Sequence, residues 1–284
     1  MEAQTVPTPG GKEPAAEVLG SAFWLRKPLI GMIHLPALPG SAQDKGTGME
    51  AILARAIADA ESLAYGGAEA IIVENFFDAP FAKDVVPVHT VAAMTRAVDA
   101  VRRAVSLPVG VNVLRNDARA AIAIAHVCGA QFVRINVYVG ACITDQGLIE
   151  GAARAAVLYR RELGADVAIW ADIFVKHGAQ LGEQTIEIAA TDAVHRGLAD
   201  ALIVSGVATG AGTDSDDLRR VKVAVPATPL LIGSGCNVTT AARLLRYADG
   251  AIVGTSLKRR GQIAEPVDVE QVRALRAAMT AADI

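Results

Sequence analysis

The chain has 284 residues, the span of one barrel-sized domain, and is 52% hydrophobic but only 4% aromatic, so its core is built from Ala, Val, Ile and Leu. A formal net charge of -3, with both signs interspersed, leaves no basic stripe for a phosphodiester backbone and excludes nucleic acid as the expected partner. No apolar run reaches the roughly 18 residues of a membrane span, and Cys128, Cys142 and Cys236 form no CxxC pair. Free thiols without a disulfide frame point to a reducing, cytoplasmic location. The opening MEAQTVPTPGGKEPAAEVLG carries acids, prolines and glycines where a secretory leader has basic charge and then an apolar stretch. Residues 1–17 are therefore expected to be a disordered tail, followed by one domain over 18–284.

Eight short apolar runs follow in order: Leu29–His34, Ala70–Glu74, Val109–Val113, Phe132–Val137, Val167–Ile173, Ala201–Val204, Leu230–Gly233 and Ala251–Gly254. Each leads into polar or Gly-rich residues and then a segment with helical periodicity, as in the run that closes on Gly66 and Gly67 and the run that closes on Gly129. Strand alternating with helix predicts parallel βα units, and a count of eight predicts an α/β chain closed into a (β/α)8 TIM barrel. The longest loops, Leu35–Gly48, Asn75–His89, Tyr138–Gly147 and Val175–Gly182, follow strands, where barrels carry their active face.

Strand residues alternate faces, and the helix-covered outside of a barrel must be apolar. Ile71 and Val73, Val111 and Val113, the Val133, Ile135 and Val137 set, and the odd-numbered residues from Val167 to Val175 are thus expected to face the helices. The same parity sends Glu74, Asn112, Arg134, Asn136, Asp172 and Lys176 inward, and His34 joins them from the first strand. Each buried polar group left unsatisfied costs about 1–3 kcal/mol, so a purely structural core rarely holds such a ring. The alternative is a satisfied network in which Arg134 pairs with Glu74 or Asp172 and only braces the barrel.

The last strands end in LLIGSGCNVTTA and AIVGTSLK, each expected to open a helix, and the sixth ends in ALIVSGVATG. Gly233, Ser234 and Gly235 with Gly254 and Thr255, and Ser205 and Gly206 beside them, predict a phosphate site of close backbone amides and helix starts. Cys236 sits at that corner, where a thiol pKa can fall; a small buried residue is the preferred role.

GMIHLPALPGS, AIIVENFFDAPF, PVGVNVLRND, FVRINVYVGACITDQGLIEG, ADALIVSGVATG and ADGAIVGTSLK together resemble the BtpA family over about Leu29 to Gly261. The family pattern is matched by Glu74, Asn75 and Asp78 and by Asn112, Arg115, Asn116 and Asp117, with Ala37 where many members carry a second proline. The resemblance implies a ribulose-phosphate-binding type of barrel, and a first described role in photosystem I biogenesis for a family that also occurs in organisms without photosynthesis. It implies no particular reaction.

Together these features predict an enzyme on a small phosphorylated metabolite, a sugar phosphate or nucleotide-derived sugar, by isomerase, lyase or hydrolase chemistry. Glu74 and Asp172 are the expected acid and base, and Lys176 is a charge stabiliser in preference to a covalent nucleophile. His34, Asn112, Arg134 and Asn136 bind substrate. No cofactor is expected. A divalent metal on His34, Glu74 and Asp172 is an alternative without HxH or HExxH spacing behind it. A non-catalytic factor for photosystem I biogenesis or stability, with a photosystem-related partner, is the rival class, and a homo-oligomer is compatible with either.

Overall fold

The computed structural model describes residues 19–175, 178–206 and 212–282. In chain order these hold α1 (Ser21–Leu25), β1 (Leu29–His34), α2 (Met49–Gly66), β2 (Ala70–Glu74), α3 (Val88–Ala104), β3 (Val109–Asn112), α4 (Ala118–Cys128) and β4 (Phe132–Ile135). There follow β5 (Ala141–Thr144), β6 (Gly147–Glu150), α5 (Ala153–Glu162), β7 (Ala168–Ile173), β8 (Ala179–Gln180) and α6 (Ile186–His195). The chain ends with β9 (Ala201–Val204), α7 (Ser215–Ala224), β10 (Leu230–Ile232), α8 (Ala241–Leu244), β11 (Gly250–Val253) and α9 (Val269–Ala281).

Eight of these strands close into a parallel barrel in the order β1-β11-β10-β9-β7-β4-β3-β2. The expected strand boundaries hold to within one or two residues. The two glycine stops also hold: Gly67 and Gly129 take left-handed φ values of 94° and 68° and close α2 and α4. Ile33, Ile71, Val73, Val111, Val133, Ile135 and Ile169 pack outward against helices, while Ile30, Met32, Ile72, Phe132, Trp170, Ile203 and Leu231 fill the interior. Among the described residues, no helix is long and apolar enough to cross a membrane.

A small aromatic cluster fills the barrel interior. Phe132 stacks on Trp170 at 3.7 Å and 15°, and Trp24 of α1 packs on Trp170 from below at 5.5 Å. Gly110, in register with Phe132, makes room for that stack, since a Cβ there would lie 2.1 Å from the Phe132 ring. Gly110→Ala is therefore expected to cost about 1–3 kcal/mol through overpacking. Urea denaturation tests this, and a loss under about 0.5 kcal/mol would show that the ring yields freely.

Two sequence expectations need correcting. The stretches after β4 and β7 are not irregular throughout: β5 pairs antiparallel with β6 and with β8 in a small sheet across the barrel top. Val137 and Val175, expected on the helix-facing layer, instead pack with Cys142 and Ile149 under that sheet. The alternation fails because β4 and β7 end at Ile135 and Ile173, and Phe174 turns the chain with a φ of 56°. Strand parity therefore gives no direction for Lys176, which lies outside the described residues.

Candidate active site

Five consecutive strands of the barrel, β1, β2, β3, β4 and β7, carry the inward polar side chains at their C-terminal ends. His34 is paired in register with Glu74, and Glu74 with Asn112. All are buried: His34 8%, Glu74 6%, Asn112 1%, Arg134 6%, Asn136 4% and Asp172 3% exposed.

Four of these six form one hydrogen-bonded network. Arg134 donates from Nε and Nη2 to the two Asp172 oxygens, both at 2.9 Å. Asn136 Nδ2 donates to Asp172 Oδ2 at 2.8 Å, and Asn112 Nδ2 donates to Asn136 Oδ1 and to the Arg134 carbonyl, each at 3.0 Å. Ser205 Oγ lies 3.5 Å from Asp172 Oδ1. A carboxylate whose two oxygens already accept this many hydrogen bonds is poorly placed to shuttle protons. Asp172 and Asn112 sit beneath the main pocket rather than on its wall. Both Asp172 oxygens are thus engaged, by Arg134 and Asn136, as a bracing network would engage them.

Above the network opens a cavity of about 500 Å³, lined by His34, Glu74, Phe76, Phe81, Leu114, Arg115, Arg134, Asn136 and Val175 and by the turns 233–237 and 254–256. That volume suits a small metabolite. His34 Nε2 lies 3.9 Å from Glu74 Oε1, and the imidazole packs on Phe76 with centroids 4.7 Å apart. A Cβ on Gly254 would come within 2.7 Å of His34 Cε1, so this glycine lets the histidine stand against the turn.

The glycine corner is built differently from expectation. β10 leads into a turn and only then the four-residue α8, and β11 into a single 3-10 turn at Thr255–Leu257, so neither turn opens directly into a long helix. Gly235 takes a left-handed φ of 71°. Thr240 Oγ1 donates to the Gly235 carbonyl at 2.8 Å, and Ser256 Oγ donates to the Cys236 carbonyl at 3.0 Å, which ties the two turns together. Two predicted donors are already engaged: the Gly206 N–H donates to Ser234 Oγ at 2.7 Å, and the Gly233 N–H to the Val204 carbonyl at 2.7 Å. Ser205 and Gly206 lie beside the cavity without lining it. Cys236 is a buried thiol pushed up to about 12 by burial, as its small-core role requires.

The polar residues of the VENFFDAPF and VNVLRND strings fall into two groups. Asn75, Asp78, Asn116 and Asp117 are loop staples. Asn75 Oδ1 accepts from Leu114 N–H and Asp78 Oδ1 from Leu38 N–H, while Asn116 Oδ1 accepts from Val137 N–H and Asp117 Oδ2 from Val86 N–H. Burial pushes the Asp78 carboxyl up, against those hydrogen bonds. Arg115 instead lines the cavity, which the sequence analysis did not foresee; its place directly past β3 was the available signal. Among the described residues, no group of three or more His, Cys, Asp or Glu side chains is placed to hold a metal ion.

The fold has relatives in solved structures. Thiamine phosphate pyrophosphorylase from Pyrococcus furiosus superposes with a TM-score of 0.56 at 15% identity, over 92% of this chain and 98% of that one, a likeness of fold alone. Closer in sequence, the chain is 48% identical over 261 residues to the photosystem I biogenesis protein BtpA of Synechocystis, covering 92% of this chain and 91% of that protein. It is 45% identical over 250 residues to a Thermococcus kodakarensis protein, covering 88% and 94% respectively. The BtpA family model matches residues 25–281. The match over residues 25–281 and the 48% identity show that the chain belongs to the BtpA family.

Proposed function

We propose that this chain is a cytoplasmic enzyme acting on a small phosphorylated metabolite, a sugar phosphate or nucleotide-derived sugar, by isomerase, lyase or hydrolase chemistry. The observation that carries the proposal is the opening of the paired glycine turns and of His34 and Glu74 into one cavity. Amides of Gly235, Gly254 and Thr255 and the Ser234 hydroxyl hold the phosphate, in the corner where barrels recurrently bind it. Glu74 and His34, held side by side on neighbouring strands, move the proton. Arg134 and Asn136, fixed by Asp172, form the floor.

A crystal grown with phosphate is expected to place the anion within hydrogen-bond reach of those amides. Gly235→Asp, which adds strain and a negative charge, is expected to abolish phosphate binding in solution. Gly235→Ala, which adds the strain alone, is expected to weaken it less. An anion located elsewhere, or unchanged affinity in Gly235→Asp, overturns the assignment.

The 48% identity to the Synechocystis protein favours a second reading, a non-catalytic role in photosystem I biogenesis. Rescue of a strain lacking that relative separates the two. Equal rescue by the wild type and by Glu74→Gln belongs to the non-catalytic role, and loss of rescue in the variant to the enzyme.

A further inference from the structure

Resting on the phosphate reading above, we infer that the ligand carries a flat aromatic ring at the end away from its phosphate, and that Phe76, Phe81, Leu114 and Ile263 form the wall that receives it. The chain holds six phenylalanines, yet two of them line this one cavity. Phe76 and Phe81 are half-buried and stand on the cavity wall rather than in the core, as does Ile263, while Leu114 is buried behind the same surface.

The wall is built as one piece. Asn75 Oδ1 accepts the Leu114 N–H at 2.8 Å, and the Ala82 carbonyl accepts the Arg115 N–H at 3.0 Å. The residues on either side of the 76–81 stretch are thus tied to two consecutive residues after β3, which closes the stretch against Leu114. Phe76 is braced further: Phe77 meets it edge-on with centroids 5.3 Å apart, and His34 packs on it at 4.7 Å. A platform fixed before the ligand arrives loses little conformational freedom on binding. Ile263 joins the lining from the segment that Lys258 and Asp59 hold on α2, the helix joining β1 to β2.

Around the barrel β11, β1, β2 and β3 are successive neighbours. The glycine turns follow β10 and β11, His34 and Glu74 end β1 and β2, and Phe76, Phe81 and Leu114 follow β2 and β3. A ligand with its phosphate on the turns therefore has its other end at the apolar wall and its middle over His34 and Glu74. The hydroxyls of a bare sugar phosphate would lose water against these four side chains and gain no hydrogen bond from them. An aromatic ring loses little there, because its faces are apolar and it stacks on phenylalanine in offset or edge-to-face geometry. An apolar wall and a polar corner in one cavity fit a ligand divided in the same way.

Three probes that share a ribose separate the terms: AMP carries ring and phosphate, ribose 5-phosphate the phosphate alone, and adenosine the ring alone. By calorimetric titration of the full chain, AMP is expected to bind at least about tenfold tighter than ribose 5-phosphate, the advantage that one base stacked on an aromatic side chain gives. Phe81→Ala is expected to erase most of that advantage while leaving ribose 5-phosphate within about twofold of wild type, and Phe81→Leu, apolar but without a ring face, to keep part of it. Phe81 is the residue to change because Phe76 also backs His34. Equal wild-type affinities for AMP and ribose 5-phosphate overturn the inference, since the wall then serves the sugar itself. A Phe81→Ala variant that weakens both alike overturns it too, as does the absence of binding by all three probes. If Phe81→Ala fails to fold, the wild-type comparison and Phe81→Leu decide. The phosphate reading fails separately: adenosine that binds as tightly as AMP, and through Phe81, keeps the ring wall and removes the phosphate corner.

Discussion

Lys258→Met is expected to lower the folding free energy by about 3 kcal/mol, at the lower end of the range for breaking a buried ion pair. Lys258 is 1% exposed, and its Nζ donates to Asp59 Oδ2 at 3.1 Å. Asp59, also 1% exposed, sits on α2 and accepts the Val267 N–H at Oδ1, 2.8 Å away. The two residues thus clamp both ends of the 258–267 segment onto α2, and Gly261 and Ile263 of that segment form part of the cavity wall. Burial pushes the Lys258 ammonium pKa down, with Asp59 opposing the shift. Methionine fills the lysine's volume but leaves the Asp59 charge buried, supported by Val267 and by Arg55, whose Nε lies 3.2 Å away. That residual support places the cost at the low end. The double variant Lys258→Met with Asp59→Leu is expected to recover part of the loss, since neither charge is then orphaned. Urea midpoints of the three variants measure this, and a single-variant cost below about 1 kcal/mol would show that the pair is replaceable.

The barrel was legible because it is written in a pattern that repeats every strand. An apolar strand of three to six residues followed by polar or glycine residues recurs from Leu29 to Val253, and inward parity follows wherever the chain remains a strand. What parity could not show is where each inward group finds its partner. Arg134 and Asp172 lie 38 positions apart in sequence, and their pairing depends on β4 and β7 being neighbours. The same holds for Lys258 and Asp59, 199 positions apart and on no strand pattern at all. The sheet of β5, β6 and β8 escaped because ACIT and GLIE show no alternation of apolar and polar residues and β8 is two residues long. Arg115 escaped for a related reason: three residues beyond the end of β3, it belongs to a loop whose path is set by the Asn75 and Asn116 hydrogen bonds rather than by a period. The glycine corner was legible as composition, while its short helices were not, because α8 begins only at Ala241.

Glu74→Gln is expected to reduce turnover by about 10²–10⁴-fold while leaving the affinity for phosphorylated ligands within a few fold. Glutamine keeps the shape and accepting oxygen of the side chain and loses the ability to take up a proton. Of the two carboxylates first expected as acid and base, Glu74 lines the cavity, whereas Asp172 lies beneath it in the grip of Arg134 and Asn136. His34, 3.9 Å from Glu74 and backed by Phe76, is close enough for one proton to be shared once a ligand draws the pair together. Asp172→Asn provides the contrast. It strips a buried guanidinium of its counter-charge, so its expected signature is lost stability together with weakened binding. Glu74→Gln is expected instead to lower kcat alone, with a near-native thermal midpoint. The measurement is steady-state turnover of whichever phosphorylated ligand the binding screen returns as a substrate, followed by denaturation of both variants. Wild-type kcat in Glu74→Gln removes Glu74 from the proton path. A large kcat loss in Asp172→Asn without loss of stability or binding returns Asp172 to it.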